Sequence, residues 1–317
     1  MEYSVAIRTL GKAGDNYQRL LNSLMKQTIL PSRIIVYIAE GYDLPVETIG
    51  VEQYVYVKKG MVAQRALQYK EIDTEYILFL DDDVELSSHS VECLYSALEK
   101  YNADVISPDL FPNHQRPFST KLQMFVSGRM VPRRDDGRWA YKILRTGGFS
   151  YNNNPRKNVY ESQTNAGPCF FCKKETFLNI HFDQELWLDL VPYALGDDQV
   201  MFYKMHILKY KVLTIYNSGI VHLDAGTTLQ SYDKERMLAY SDLRFKIIFW
   251  YRFIYKVERN FFKRITSVIC FSYALLFAYL IAFLKCEWKI LHARYEAMQD
   301  AVNYIRSAAF KKIDPII

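Results

Sequence analysis

The sequence predicts an α/β fold, a sheet flanked by helices, followed by a helical tail. Three observations carry this. Short apolar runs rich in β-formers alternate with helical segments through the first two thirds of the chain, the pattern of a parallel sheet with helices on both faces. One run, Tyr76-Ile77-Leu78-Phe79-Leu80, is apolar throughout and ends in Asp81-Asp82-Asp83. From residue 231 the composition changes to helix with basic and aromatic residues mixed, and Ile265 to Leu284 is twenty residues without a charge. The expected division is therefore 1–230 for the α/β part and 231–317 for the tail.

Composition narrows the class. The 317 residues suffice for one large or two modest domains with a sizeable core. A hydrophobic content of 50% and an aromatic content of 15% are rich for a soluble enzyme and point to a membrane-facing part. The net charge of +5 is mild. No stretch combines a basic run with aromatics in a nucleic-acid module, so nucleic acid is not an expected partner. Five cysteines, an odd number, form no disulfide framework. Glu2 and Arg8 interrupt any apolar leader, so the expected location is the cytoplasmic face of the cell membrane.

Taken in order, Tyr3 to Ile7 reads as a strand. Gly14-Asp15 opens a helix whose apolar face is Tyr17, Leu20, Leu21, Leu24 and Met25, at spacings of three and four. Arg33 to Ala39 is a second strand, leading into Glu40-Gly41-Tyr42-Asp43, and Gln53 to Val57 is a third. A helix is expected from Gly60 to Lys70, then the Tyr76 strand, a helix from Ser87-Ser88 to Lys100, and a strand from Asp104 to Ser107. Pro108 to Arg138 reads as irregular. Gly147 to Pro155 reads as a long loop of the kind that often carries function. Cys169-Phe170-Phe171-Cys172 is a lone CxxC. A metal site would need two more ligands, and the plainer reading is a buried strand. Gly196-Asp197-Asp198 opens a helix running to about Leu208, where acids complement the helix dipole. Lys211 to Ile215 and Ile220 to Asp224 are the last strands.

Acids do not gather at the end of a buried strand for stability. Two unit charges about 4 Å apart repel by roughly 1 kcal/mol in water and about 4 kcal/mol at an effective dielectric near 20. A divalent cation, donors on a ligand or a raised pKa must offset this. Ligands of open α/β sheets sit just outside the carboxyl ends of the strands. Asp81-Asp82-Asp83 therefore reads as a metal and ligand platform, against the plainer alternative of a solvated loop exit.

The opening Ala6-Ile7-Arg8-Thr9-Leu10-Gly11-Lys12, the run Ser23-Leu24 to Gln27-Thr28 to Pro31, the acidic Glu40, Gly60 to Arg65, and Asp81-Asp82-Asp83 together resemble a family 2 glycosyltransferase. The resemblance spans roughly residues 3 to 228. It is to the bacterial type with membrane-associated C-terminal helices. Leu10 and Gly11 stand where the family has an aromatic and an Asn, and Ala66 where an Asn often follows the arginine. The resemblance implies the GT-A (Rossmann-like) fold, a mixed sheet flanked by helices, and inverting transfer from a nucleotide-sugar donor. It implies donor contacts from Thr9, Glu40, Arg65, Asp81 and Asp82. It also implies a divalent cation, Mn²⁺ or Mg²⁺, on Asp83 and His222. Asp198 takes the place of the general base, with Asp197 beside it raising its proton affinity by like-charge repulsion.

Elementary chemistry agrees with the resemblance. A diphosphate docks beside carboxylates only through a divalent ion, which also stabilises the charge on the departing group. Neither GxGxxG after the first strand nor GxxxxGK[ST] occurs. Two rivals exist. A sugar-nucleotide nucleotidyltransferase would need a Gly-rich basic loop after the first strand, and Thr9-Leu10-Gly11-Lys12 is too sparse. A non-catalytic, membrane-bound carbohydrate-binding protein has no use for Asp83, Asp198 and His222 together.

In the tail, Arg244 to Phe253 interleaves cations with aromatics, which suits a membrane interface. Ile265 to Leu284 would be roughly 30 Å long as a helix, the thickness of a bilayer core. Lys256, Arg259, Lys263 and Arg264 precede it, and Lys285, Lys289 and Arg294 follow it. Both basic flanks favour the cytoplasmic side. The expectation is a tail that lies in the interface or dips in and returns, with a single span as the alternative. Such a tail brings the site to its expected acceptor, a lipid-linked sugar or a growing surface polysaccharide.

Overall fold

The computed structural model describes residues 2–111, 117–191, 193–223 and 232–316. The expected continuation of the last strand into Asp224 to Thr228, and the boundary at 230, lie outside the described residues.

The chain opens with β1 (Tyr3–Thr9), α1 (Asp15–Leu24), β2 (Arg33–Ala39), β3 (Glu52–Val57) and β4 (Tyr76–Asp81). After β5 (Val84–Leu86) come α2 (Ser90–Lys100), β6 (Val105–Pro108) and α3 (Phe118–Val126). Then follow β7 (Met130–Arg133), β8 (Trp139–Ile143), β9 (Phe149–Asn152), β10 (Val159–Ser162) and β11 (Cys169–Lys173). The layer closes with α4 (Lys174–Asn179), a 3₁₀ segment (Phe182–Leu190), α5 (Asp197–Ile207), β12 (Val212–Ile215) and β13 (Ile220–His222). The tail is α6 (Tyr232–Phe249), a π-helical segment (Trp250–Tyr255), α7 (Phe261–Leu284), α8 (Trp288–Arg306) and α9 (Ala308–Lys311).

Eleven strands form one sheet in the order β3-β2-β1-β4-β11-β6-β12-β10-β8-β9-β7. The expected all-parallel reading holds for β3, β2, β1 and β4. It fails at β11, which runs antiparallel to both β4 and β6. The sheet is therefore mixed and flanked by helices, as the fold class implied by the resemblance expects. Two sequence readings of the middle are corrected: α3 and β7 occupy the stretch expected to be irregular, and β9 occupies the stretch expected to be a loop. Their polar and basic residues mask the periodicity. β9 pairs with β8 on one side and β7 on the other, so pairing with neighbours, not local propensity, makes it a strand.

β4 shows why its run is apolar without alternation. Leu78 and Leu80 face the layer of α1 and α2, beside Leu20, Leu24 and Leu94. Ile77 and Phe79 face the opposite layer, beside Phe177, Phe202 and the tail residues Phe249 and Phe253. A strand covered on both faces needs apolar side chains at every position.

The helix that opens the tail does not run on into α7. Its α-helical part ends at Phe249, the π-helical segment follows, and Asn260 caps α7 by accepting from the Lys263 amide at 3.1 Å. α7 is 24 residues, long and apolar enough to cross a membrane by length and composition. Yet the chain comes back. Cys286, at φ 55°, turns it into α8. α8 lays Ile290, Ala293, Ala297 and Ala301 against its neighbours, a helical stripe in which three alanines allow close approach. Arg236 reaches Glu296 at 3.0 Å, and Asp300 accepts from both Tyr240 Oη and Arg244 Nε of α6. Beyond α8, Asp314 accepts from Gln184 at 2.9 Å, and its carbonyl from Arg252 at 3.1 Å. The residues on both sides of α7 thus pack on the same body.

Candidate active site

The first platform is built by strand ends. β1 and β4 are parallel neighbours with Arg8 opposite Asp81. Arg8 Nε and Nη2 donate to the two oxygens of Asp81, the latter at 2.9 Å. Its Nη1 reaches Asp197 Oδ2 at 3.3 Å. Arg65 lies deeper. It donates to Asp198 Oδ1 at 3.1 Å, Asp197 Oδ2 at 3.4 Å, Asp81 Oδ1 at 3.4 Å and the Gly167 carbonyl at 2.9 Å. Two guanidiniums thus face three carboxylates.

The surplus falls on Asp198. Burial pushes its carboxyl up to about 6, Asp197 pushes the same way, and Arg65 and Arg8 pull back. Its side chain keeps 31% of its surface exposed, so an oxygen edge remains open to an incoming group. Asp197, at the same helix start, is buried. Gly196 caps the helix at φ 84°. Gly167 is required opposite: a Cβ there would lie 1.8 Å from Asp198 Oδ1. Asp81 is held below the usual carboxylate range, because Arg8 and Arg65 outweigh the burial that opposes them.

The second platform joins the turn after β4 to β13. β5 and β13 pair antiparallel, with His222 opposite Val84. This register sets His222 Nε2 3.1 Å from Asp83 Oδ2, and the Leu223 amide donates to the Asp83 carbonyl at 2.7 Å. One carboxylate oxygen and one imidazole nitrogen converge at a partly open edge. Among the described residues no group of three or more His, Cys, Asp or Glu can hold a metal. A pair suits a cation whose other ligands come from substrate oxygens and water, so these residues fit Mn²⁺ or Mg²⁺ shared with a diphosphate.

Thr9 Oγ1 donates to Asp82 Oδ2 at 2.5 Å and accepts from the Gly11 amide at 2.8 Å. Burial, with Asp81 and Asp83 adding to it, pushes Asp82 up to about 6 against the pull of Thr9. Glu40 is exposed at the end of β2, outside the arginine cluster. Beside it Lys12 and Lys59 each stand 4.9 Å over the Tyr42 ring. The structure therefore brings Arg65, Asp81, Asp197 and Asp198 together, and separately Asp83 with His222 and Thr9 with Asp82.

The helix expected from Gly60 to Lys70 is not formed. These residues make tight turns. Gly60, at φ 156°, packs where a Cβ would meet Asp189 at 2.3 Å, and Asp189 accepts from the Val62 and Ala63 amides at 3.1 and 2.8 Å. A side chain distant in sequence takes the backbone donors and aims Arg65 inward. Arg8 went unnoticed as a site residue, although a lone arginine in an apolar strand was a signal. Cys169 and Cys172 are free and buried in β11, as the plainer reading of CxxC expects.

Residues 3–106 match the model of the glycosyl transferase family 64 domain. No curated protein matches the sequence. Among solved structures, one described as GalNAc-T7 with UDP, GalNAc and Mn2+ is similar at 13% identity over 78% of this chain, with a TM-score of 0.49. This chain spans 50% of the length of that one.

Proposed function

We propose that this chain is a GT-A-type, metal-dependent, inverting glycosyltransferase, of family 2 character. It moves a sugar from a nucleotide-sugar to a hydroxyl of a lipid-linked glycan at the cytoplasmic face of a membrane. The carrying observation is the pair of groups gathered around the carboxyl end of β4: Asp83 with His222 at 3.1 Å, and the partly open, proton-hungry Asp198 beside the arginines that hold Asp81. The family 64 match over residues 3–106 supports glycosyl transfer in general. When bound, the cation would neutralise the diphosphate as it leaves. Asp198 takes the proton from the acceptor hydroxyl as that oxygen attacks the anomeric carbon. Arg65 and Arg8 keep Asp81 ionised, and their contacts with Asp197 and Asp198 fix the position of Asp198. A single base without a paired nucleophile supports inversion. Thr9, Asp82 and Glu40 line the donor side.

Donor hydrolysis tests this directly. With a panel of nucleotide-sugars and Mn²⁺, turnover is expected, and chelation should remove it. Asp83→Ala should abolish both the metal-dependent thermal shift with donor and the turnover. Full hydrolysis in chelator would defeat the reading.

The membrane part rests on α7. Its outward stripe, Ile265, Ile269, Tyr273, Leu276 and Leu280, is exposed. α8 returns to the α6 side, which supports an α7 that lies in the interface or dips and returns. A reporter fused after Ile317 should work only on the side of the catalytic layer. Reporter activity confined to the other side would mean that the chain crosses.

A further inference from the structure

A cavity of 270 Å³ lies between α3, α6, α7 and α8, away from the arginine–aspartate cluster. Its charged lining is Arg129, Asp242, Lys246 and Arg294. Asp242 is shared: it accepts from Arg129 at 3.1 Å and from Lys246 at 2.6 Å. Arg294 donates to the Ala278 carbonyl of α7, and Glu287 lies close enough to act on it from outside the lining. Three cations against one carboxylate leave an excess of two positive charges in a partly closed space. Burial and the nearby Arg129 push Lys246 down to about 8, against the pull of Asp242. An anion entering the cavity would relieve that cost.

Two surroundings define the anion. One wall is apolar: Phe271, Ala274, Leu275 and Phe277 of α7. The outer rim is the exposed face of α7 with that of α3, where Phe118, Leu122 and Phe125 stand out at spacings of four and three. Tyr273 Oη binds the Val126 carbonyl at 2.8 Å and joins the two helices. On the inner side a second cavity of 220 Å³ shares Arg129, Gly148, Asp242 and Lys246 with the first. It continues to Gly196 and Gln199, which flank Asp197 and Asp198.

We propose that the cationic cavity receives the phosphate of a lipid-linked acceptor, with its hydrocarbon chain on the α3–α7 face and its sugar directed through the second cavity toward Asp198. This deepens the glycosyltransferase reading and depends on it for its purpose, not for its chemistry. A soluble phosphate would use the cations but leave the apolar rim idle. A neutral lipid would do the reverse.

The test uses the full chain with farnesyl phosphate, farnesol and inorganic phosphate, titrated by calorimetry without metal or nucleotide. Farnesyl phosphate should bind at least about tenfold more tightly than either of the others. Lys246→Gln and Arg294→Gln should each weaken it by about tenfold, the loss of one charge-assisted contact, with circular dichroism and melting temperature near those of the parent. Should either variant fail to fold, a photoreactive farnesyl phosphate on the parent chain decides: labelling within 118–126 or 261–284 supports the site, and labelling elsewhere overturns it. Equal binding of farnesol overturns the phosphate, and equal binding of inorganic phosphate assigns the cations to a soluble anion and overturns the lipid. No arm contains a donor, so failure here leaves the donor chemistry standing, and failed donor hydrolysis leaves this result intact.

Discussion

Asp198→Asn is expected to lower the transfer rate by about 10²- to 10⁴-fold and to leave nucleotide-sugar affinity nearly unchanged. The amide keeps the shape and its contact with Arg65, but it cannot accept a proton. The loss should therefore fall on kcat and kcat/KM alike, with donor binding spared. The parent's pH profile follows from the same residue. Its pKa is raised to about 6, and the competent form is ionised. The rate should climb as pH rises through about 6 and level off above it. Asp197→Asn removes the like charge and should shift that limb to lower pH. An active Asp198→Asn beside an inactive Asp197→Asn would reverse the assignment.

Glu185→Gln is expected to lower stability by about 3–5 kcal/mol, the cost of breaking a buried ion pair from one side. Glu185 is fully buried and holds three partners: Lys204 Nζ at 2.8 Å, Arg252 Nη2 at 2.9 Å and Trp187 Nε1 at 2.8 Å. Its neutral replacement leaves two cations buried between the 3₁₀ segment, α5 and the tail. Burial alone would raise the Glu185 carboxyl, but Lys204 and Arg252 more than reverse this and lower it. For Lys204 the balance tips the other way, and burial lowers it despite Glu185. The direction for Glu185 stands because two cations face it. A lowered carboxyl contributes stability that is fully present above its ordinary titration range and is lost as pH falls through the lowered value. Thermal melts on the acid side should therefore fall more steeply for the parent than for Glu185→Gln. Equal melting temperatures at neutral pH would defeat the prediction.

What the sequence made legible follows physical range. β4 and α1 were readable because their patterns answer to layers that any α/β sheet supplies. The pairing of Asp83 with His222 spans 139 positions, and only the resemblance pointed to it. Arg8 was missed because a charge in a strand has no local signature of its partner, here Asp81 on the adjacent strand. The turns at 60–70 were misread because Asp189, far along the chain, takes the amides that a helix would use. The cation cavity was invisible for the same reason: Arg129, Lys246 and Arg294 come from three separate elements.

The ring of Phe245 fills the space where a Cβ on Gly196 would stand, 2.2 Å away. The tail is thus part of the wall that sets the start of α5. It cannot be exchanged between related chains as a cassette. A foreign tail without an aromatic ring at that point would leave a hole under Gly196, and any side chain at 196 would be driven against the native ring. Shuffling of tails, an easy evolutionary route where tail and sheet are independent, is closed here. Changes in α6 and at the start of α5 must arise together.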